Sequence, residues 1–105
     1  MTAYIFTHSM VNGFNNVSIR EGHTVVGFLM WDGNEDGRIE DLYVNPEYRR
    51  QGLATRLWHE ATNYARTQYL SKPAHSETRT LLGDLWAKTM PYYFETEGII
   101  EAYTD

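Results

Sequence analysis

Cysteine is absent from the 105-residue sequence. That removes disulfides, thiolate metal sites and a cysteine nucleophile together, and it suits a reducing compartment. No apolar run approaches the roughly 18 residues needed to span a bilayer. The opening MTAYIFTHSMVNG lacks the charged and apolar regions of a secretory signal, so Asn16-Val17-Ser18 reads as a chance glycosylation sequon. A cytoplasmic protein with no membrane partner is the expectation. Basic charge is scarce as well: 9 Lys and Arg stand against 14 Asp and Glu, for a net charge of −5. Nucleic-acid-binding domains usually carry a basic surface, so no nucleic-acid partner is expected. Repeats, low-complexity segments and linkers are missing too. The whole chain, 1–105, therefore reads as a single domain with one modest core.

Metal and nucleophile motifs are equally thin. His8, His23, His59 and His75 show no ligand spacing, and no metal is expected. His59-Glu60 begins the His-Glu-x-x-His of zinc proteases, but position 63 is Asn. His75-Ser76 has no Gly-x-Ser-x-Gly around it and reads as a loop and helix cap. Trp31, Trp58 and Trp86, with eight tyrosines, are expected in core and interface rather than as a platform for stacking bases.

What is present is a run of strands followed by helices. Ala3 to Thr7 is an apolar strand, Asn12 to Asn16 a loop, and Val17 to Arg20 a second strand. Thr24 to Trp31, TVVGFLMW, reads as a largely buried strand. DGNEDG is a hairpin-type turn, and Arg38 to Val44 is the next strand, stopped by Asn45-Pro46. From Gly52, Leu53, Leu57, Ala61, Tyr64 and Ala65 recur at three- and four-residue intervals, which predicts an amphipathic helix to about Gln68. Tyr69 to Ala74 is expected to be extended. A second helix is predicted from a Ser76 cap to Met90, with Leu81, Leu82, Leu85, Trp86 and Met90 as its buried stripe. YYFETEGIIEAY closes the chain as one or two strands. The fold class is α+β, a mainly antiparallel sheet with two main helices.

The stretch EDLYVNPEYRRQGLATRLWHE raises a separate question, because an acidic chain gathers Arg49, Arg50 and Arg56 around one strand-to-helix turn. Backbone N–H groups at a helix N-terminus lack internal acceptors and, with the helix dipole, form a ready anion site. Gly52 lets a phosphate approach the backbone, Ala54 keeps the first turn small, the arginines supply charge and Thr55 a hydroxyl.

VNPEYRRQGLATRLW closely resembles the acetyl-CoA signature of the GNAT superfamily of N-acetyltransferases: Arg or Gln, two residues, Gly, one residue, then Gly or Ala. Arg49-Arg50-Gln51-Gly52-Leu53-Ala54 meets it directly after a strand and directly before a helix. The resemblance covers about Thr24 to Met90 and implies a GNAT-like fold with acetyl-CoA as co-substrate. It implies that the backbone of Leu42, Tyr43 and Val44 pairs with the pantetheine arm. The amides of Gln51, Gly52, Leu53, Ala54 and Thr55 would cradle the pyrophosphate, with Arg49 and Arg50 adding charge. RIEDLYV is similar to a strand segment of the polyamine acetyltransferases within this superfamily. That likeness implies Glu40 as the base that deprotonates an amine and Asp41 as a contact to a cationic acceptor, small molecule or protein.

The departures from the pattern matter as much. Many members carry, on the helix after the fifth strand, a tyrosine that protonates the leaving thiolate. Here Arg79 stands in the place of that motif's Asn, Leu82 of its Ala, Leu85 of its Leu and Trp86 of its Tyr. Indole has no acidic proton of suitable pKa, so water or another tyrosine such as Tyr92 or Tyr93 would have to serve, although packing roles are expected for both. Only His8 to Asn16 fills the place of the helices that usually wall the acceptor pocket. Either the acceptor site is open, or a second subunit completes it, or there is no acceptor. Two readings therefore stand: an N-acetyltransferase working by direct attack, and an inactive GNAT-fold protein that binds acyl-CoA or a protein. So short a chain with three tryptophans is also expected to form a homodimer, through its C-terminal strand.

Overall fold

In the computed structural model, which describes residues 3–100, the chain divides into two compact units, Met1–Ala74 and His75–Asp105. The first unit is a four-stranded antiparallel meander with one long helix. Its strands are β1 (Ile5–Val11), β2 (Phe14–Glu21), β3 (Thr24–Trp31) and β4 (Ile39–Val44), in that spatial order. A single 3-10 turn, Pro46–Tyr48, leads to α1 (Leu53–Thr67).

β1 and β2 are longer than expected. The segment Asn12 to Asn16, read from its asparagines as a loop, is a two-residue turn, Asn12-Gly13, between residues that continue both strands. Both turn residues have positive φ, 50° and 84°. That left-handed geometry matches the twist of flanking strands and permits the tightest hairpin connection. Asn15 and Asn16 are therefore strand residues, and both are buried.

Strand alternation sorts the sheet into two faces. On one face Val17, Leu29 and Leu42 lie in register, with Ile19, Gly27 and Val44 in the next row. Against this face packs α1, burying Leu53, Leu57, Trp58, Ala61 and Ala65. Four of these are on the expected stripe; Tyr64 is half-buried instead, and Trp58 is buried beside them. Leu57 is fully buried, and full burial of such a side chain contributes about 1.5–3 kcal/mol. Trp31 is also fully buried, and its Nε1 donates to the Ser71 carbonyl at 3.0 Å. This contact satisfies the indole and fastens the segment after α1. The opposite face carries the row Ser9, Asn16, Met30, Asp41.

The second unit contains β5 (Thr78–Thr80), α2 (Leu81–Ala87) and β6 (Gly98–Ile100). β5 and β6 pair in parallel, as do Arg38 and Ala74 in an isolated bridge, whereas the meander is antiparallel. Here the helix expected from Ser76 to Met90 is corrected. Thr78 to Thr80 is β-prone and pairs with β6, so the helix begins only after it. Thr80 is its cap, its hydroxyl accepting from the Gly83 N–H at 3.0 Å. After Ala87, shorter bonds from Thr89 to Trp86 and from Met90 to Ala87 tighten the chain out of the helix.

The expected apolar stripe is corrected in part: Met90 is buried and Trp86 half-buried, but the leucines are not. Leu81, Leu82 and Leu85 are half or more exposed, whereas Asp84 and Ala87 are buried. The reason is Arg79, whose buried guanidinium donates to Asp84 Oδ1 at 2.9 Å and to the Phe94 carbonyl at 2.7 Å. A buried arginine requires such partners, and they turn the Asp84 side of α2 inward. Tyr92, expected to pack, is instead 88% exposed.

Candidate active site

β4 is an edge strand of the meander; Ala74 pairs with the start of its outer edge, its carbonyl accepting from the Ile39 N–H at 2.9 Å, and the edge beyond that is the first component of the site. Asn45 N donates to Val26 O at 2.8 Å, so Asn45 faces β3. Alternate residues of an antiparallel ladder face the same neighbour. Tyr43 and Asp41 therefore direct their backbone groups toward β3, while Leu42 and Val44 direct theirs outward. Of the three residues expected to offer backbone to a pantetheine arm, Tyr43 is thereby removed. Its N–H and C=O belong to the β3 ladder, and its ring lies 5.7 Å from that of Phe28. The side chains of Leu42 and Val44 pack on the core, which fixes the outward edge rigidly.

The register of β4 also contains an irregularity. Met30 pairs with Asp41 but Trp31 pairs with Ile39, so Glu40 is an extra residue, a β-bulge. Bulges bend a strand and re-aim its side chains. Glu40 is exposed, and its carboxylate lies 3.9 Å from the Arg38 guanidinium, a solvent-screened contact. Asp41 is less exposed. Burial raises its carboxyl above the ordinary value of 3.8; a hydrogen bond from the Leu42 backbone opposes this, and the Glu40 charge adds to it.

The second component is the turn into α1, which local contacts hold in shape. Asn45 accepts from the Glu47 N–H at 3.0 Å and Pro46 opens the 3-10 turn. Tyr48 donates to Glu21 at 3.0 Å, and Arg49 Nε to the Val44 carbonyl at 2.9 Å. Arg50 and Gly52 both adopt left-handed backbone, φ 64° and 73°. Gly52 is the cap of α1 and offers it no side-chain hydrogen bond, and no acidic residue lies in its first turn. A Cβ built on Gly52 would meet nothing within 4 Å, so the space above the helix start is open. Leu53 contributes only its backbone here, its side chain being in the core. Ala54 and Thr55, both half-buried, complete the first turn.

The three arginines divide their work. Arg49 is tied to Val44, and Arg56 lies over the rings of Tyr4 and Phe6 at 5.5 and 5.4 Å. Arg50 is exposed and, among the described residues, without an ion-pair partner. A contact the sequence did not suggest is the Tyr4 hydroxyl donating to Gln51 Oε1 at 2.8 Å. Nothing in the local pattern links residues 47 positions apart; only the fold brings the start of β1 to the turn.

Among the described residues no group of three or more His, Asp or Glu side chains could hold a metal ion. No helix among them is long and apolar enough to cross a membrane. In the second unit Trp86 is half-buried with its ring 5.6 Å from that of His75. Arg79, in the place of the resemblance's asparagine, is committed to Asp84 and Phe94.

No curated protein matches the sequence. Among solved structures, AAC(6′)-Iy in complex with the bisubstrate analogue CoA-S-monomethyl-acetylneamine is similar at 15% identity. The match covers 90% of this chain and 71% of that one, with a TM-score of 0.61. A protein of Staphylococcus aureus subsp. aureus, assigned to the GNAT family of acetyltransferases, is 20% identical with a TM-score of 0.52. It shares 63% of this chain, which spans only 57% of its length. These likenesses show the fold. The sequence itself matches the Acetyltransferase (GNAT) family model over residues 4–80. That span takes in the meander, the bulged edge strand, the glycine turn and α1, and the chain belongs to the GNAT acetyltransferase family.

Proposed function

We propose that the chain, acting as one GNAT-like domain, transfers an acetyl group from acetyl-CoA to a primary amine. One observation carries the reading. The outward backbone of Leu42 and the Val44 N–H lie on the strand edge that runs, through the Arg49-braced turn, to the start of α1, where the space above Gly52 is open. An extended amide chain ending in a pyrophosphate has matching chemistry. Its amides pair with a strand edge, and its phosphates meet the N–H groups of Gln51 to Thr55 with the Arg50 charge beside them. The presence of a coenzyme A analogue in AAC(6′)-Iy supports the cofactor class.

With no cysteine, no acyl-enzyme on sulfur forms. The amine nitrogen attacks the thioester carbonyl directly, the C–S bond breaks, and the thiolate takes a proton from water or a tyrosine. A protonated amine must first lose a proton to a base. Glu40, exposed at its bulge, takes that proton, and Asp41 meets the cation. The raised pKa of Asp41 favours a second assignment in which the roles are exchanged, since a carboxylate of higher proton affinity is the better base. Separately, the indole of Trp86 where a tyrosine acid would stand favours the non-catalytic reading, an acyl-CoA-binding protein.

Calorimetry with acetyl-CoA followed by a panel of primary amines tests the proposal. Binding together with thiol release on an amine supports transfer. Tight binding without turnover on any amine supports the binding protein, and no binding removes both.

A further inference from the structure

At the far side of the sheet from β4, β1 is an edge strand, and among the described residues nothing pairs with its outer edge. Free strand edges are usually protected by lysine, proline, a bulge or charge. Ile5–Val11, IFTHSMV, contains no Lys, Arg, Asp, Glu or Pro, and its register with β2 has no irregularity. Ile5 and Met10 are 58% and 57% exposed on it, and Val11 36%.

Which backbone groups are free follows from the hairpin. The pair that closes a two-residue turn, here Val11 and Phe14, is a hydrogen-bonded pair. Counting back by twos, Ser9, Thr7 and Ile5 also face β2, and Phe6, His8 and Met10 turn their N–H and C=O outward.

Around His8 the strand is chemically palindromic. Hydroxyl residues Thr7 and Ser9 flank it, then Phe6 and Met10, then Ile5 and Val11. A twofold axis at His8 sets Thr7 against the partner's Ser9, Phe6 against the partner's Met10, and Ile5 against the partner's Val11. The same axis joins outward-facing residues to outward-facing residues, so Phe6, His8 and Met10 all form hydrogen-bonded pairs. Moving the axis to Thr7 or Ser9 leaves fewer such pairs within the strand and sets a hydroxyl residue against Ile5 or Val11. The number of backbone pairs within the strand and the side-chain chemistry thus both favour the register centred on His8. Only a second copy of this strand offers that match. His8 does not block it, because its ring stacks on Tyr64 at 4.3 Å and its Nε2 lies 3.2 Å from Glu60 of the same chain.

The geometry points to β1 as a homodimer interface in which two chains join antiparallel about a twofold axis at His8, extending one continuous sheet through both. The interface is isologous, as a twofold contact requires. It lies on an edge other than the C-terminal strand, and it does not depend on acetyl transfer.

The absence of cysteine makes the test specific. Sedimentation of the full chain at micromolar concentration should give twice 12.2 kDa. His8→Cys should cross-link under mild oxidation, since facing Cα atoms about 5.5 Å apart are within disulfide reach. Asn12→Cys, on the hairpin tip, should not. Thr7→Lys with Ser9→Lys should weaken the dimer at least tenfold, whereas Thr7→Lys with Ser9→Glu should keep it. Circular dichroism checks that the strands persist, and if the double lysine variant unfolds, the cross-linking pair decides. A monomeric wild type overturns the inference. So does a dimer in which His8→Cys cross-links no better than Asn12→Cys.

Discussion

Arg49 Nε donates to the carbonyl of Val44 at 2.9 Å, closing the outward edge of β4 at its last residue. The arginine thereby joins the strand edge to the helix turn, and leaves Leu42 as the outward backbone position free of it. Its role is thus positioning as well as charge. Arg49→Ala should weaken acetyl-CoA binding by about tenfold, equivalent to about 1.4 kcal/mol, in the range of a hydrogen bond to a charged group. Arg49→Lys should recover little of this, because an ammonium cannot reproduce the directed Nε–H. Calorimetry on the two variants checks the expectation; full recovery by lysine would reduce Arg49 to a charge.

Gly52 separates backbone strain from phosphate contact. Its φ of 73° disfavours any side chain, although nothing lies within 4 Å of a Cβ there. Gly52→Ala should cost about 1–2 kcal/mol of stability from the left-handed backbone. Gly52→Asp should show a similar stability loss, while its charge abolishes acetyl-CoA binding. Denaturant unfolding and calorimetry together read both. Equal acetyl-CoA affinity in the wild type and Gly52→Asp would remove the phosphate assignment.

Arg50 offers the complementary case. It is a non-glycine residue at φ 64°, exposed, with no ion-pair partner among the described residues. Arg50→Gly should stabilise the fold by about 1 kcal/mol through relief of that strain, and lower acetyl-CoA affinity through loss of charge. A variant more stable and equally avid would mean that the guanidinium does not meet the cofactor.

How much of this was legible in the sequence depends on the range of the forces involved. α1 and its stripe followed from periodicity because one face of a long helix packs on one sheet. The glycine turn was legible because αL backbone and a helix start each have a local residue signature. The Asn12-Gly13 hairpin was missed by one step: two further asparagines extended the loop signal, although Asn-Gly alone is the stronger mark of a two-residue turn. α2 was misread because its leucines have helical spacing but face outward. The inward side is set by Arg79, and its pairing with Asp84 and Phe94 is a tertiary fact. The pin from Tyr4 to Gln51 and the bulge at Glu40 were equally out of reach, since both depend on which strands meet.

Glu40 and Asp41 are adjacent carboxylates in different environments, and substitution separates them. The Asp41 pKa is raised by burial. A group whose folded pKa is raised favours the protonated form, so its contribution is fully present below 3.8 and lost as pH rises through the folded value. Asp41→Asn should therefore be more stable than wild type at neutral pH, with the difference vanishing in acid. Glu40→Gln should lower turnover on an amine by about 10²- to 10⁴-fold, as loss of a positioned base does, with acetyl-CoA affinity unchanged. If Asp41→Asn carries that loss instead and Glu40→Gln is nearly wild type, the base is Asp41.

His75 gives the second unit a distinct acid limit. The side chain is buried; desolvation lowers its pKa below the ordinary 6.5, a hydrogen bond to the Pro91 carbonyl at 3.0 Å opposes the shift, and the Arg79 charge adds to it. The sign follows from linkage. With the folded pKa depressed, the unfolded chain binds a proton more readily, so stability is intact above 6.5 and falls as pH drops through the folded value. Acid should loosen His75 to Ile100 before the meander. Hydrogen exchange followed at pH 7 and pH 5 should show amides of α2 and β6 losing protection while those of β2 and β3 retain theirs. His75→Gln, which keeps a donor for the Pro91 carbonyl without a titrating ring, should abolish the difference. Equal acid sensitivity in wild type and variant would remove His75 as the cause of the transition.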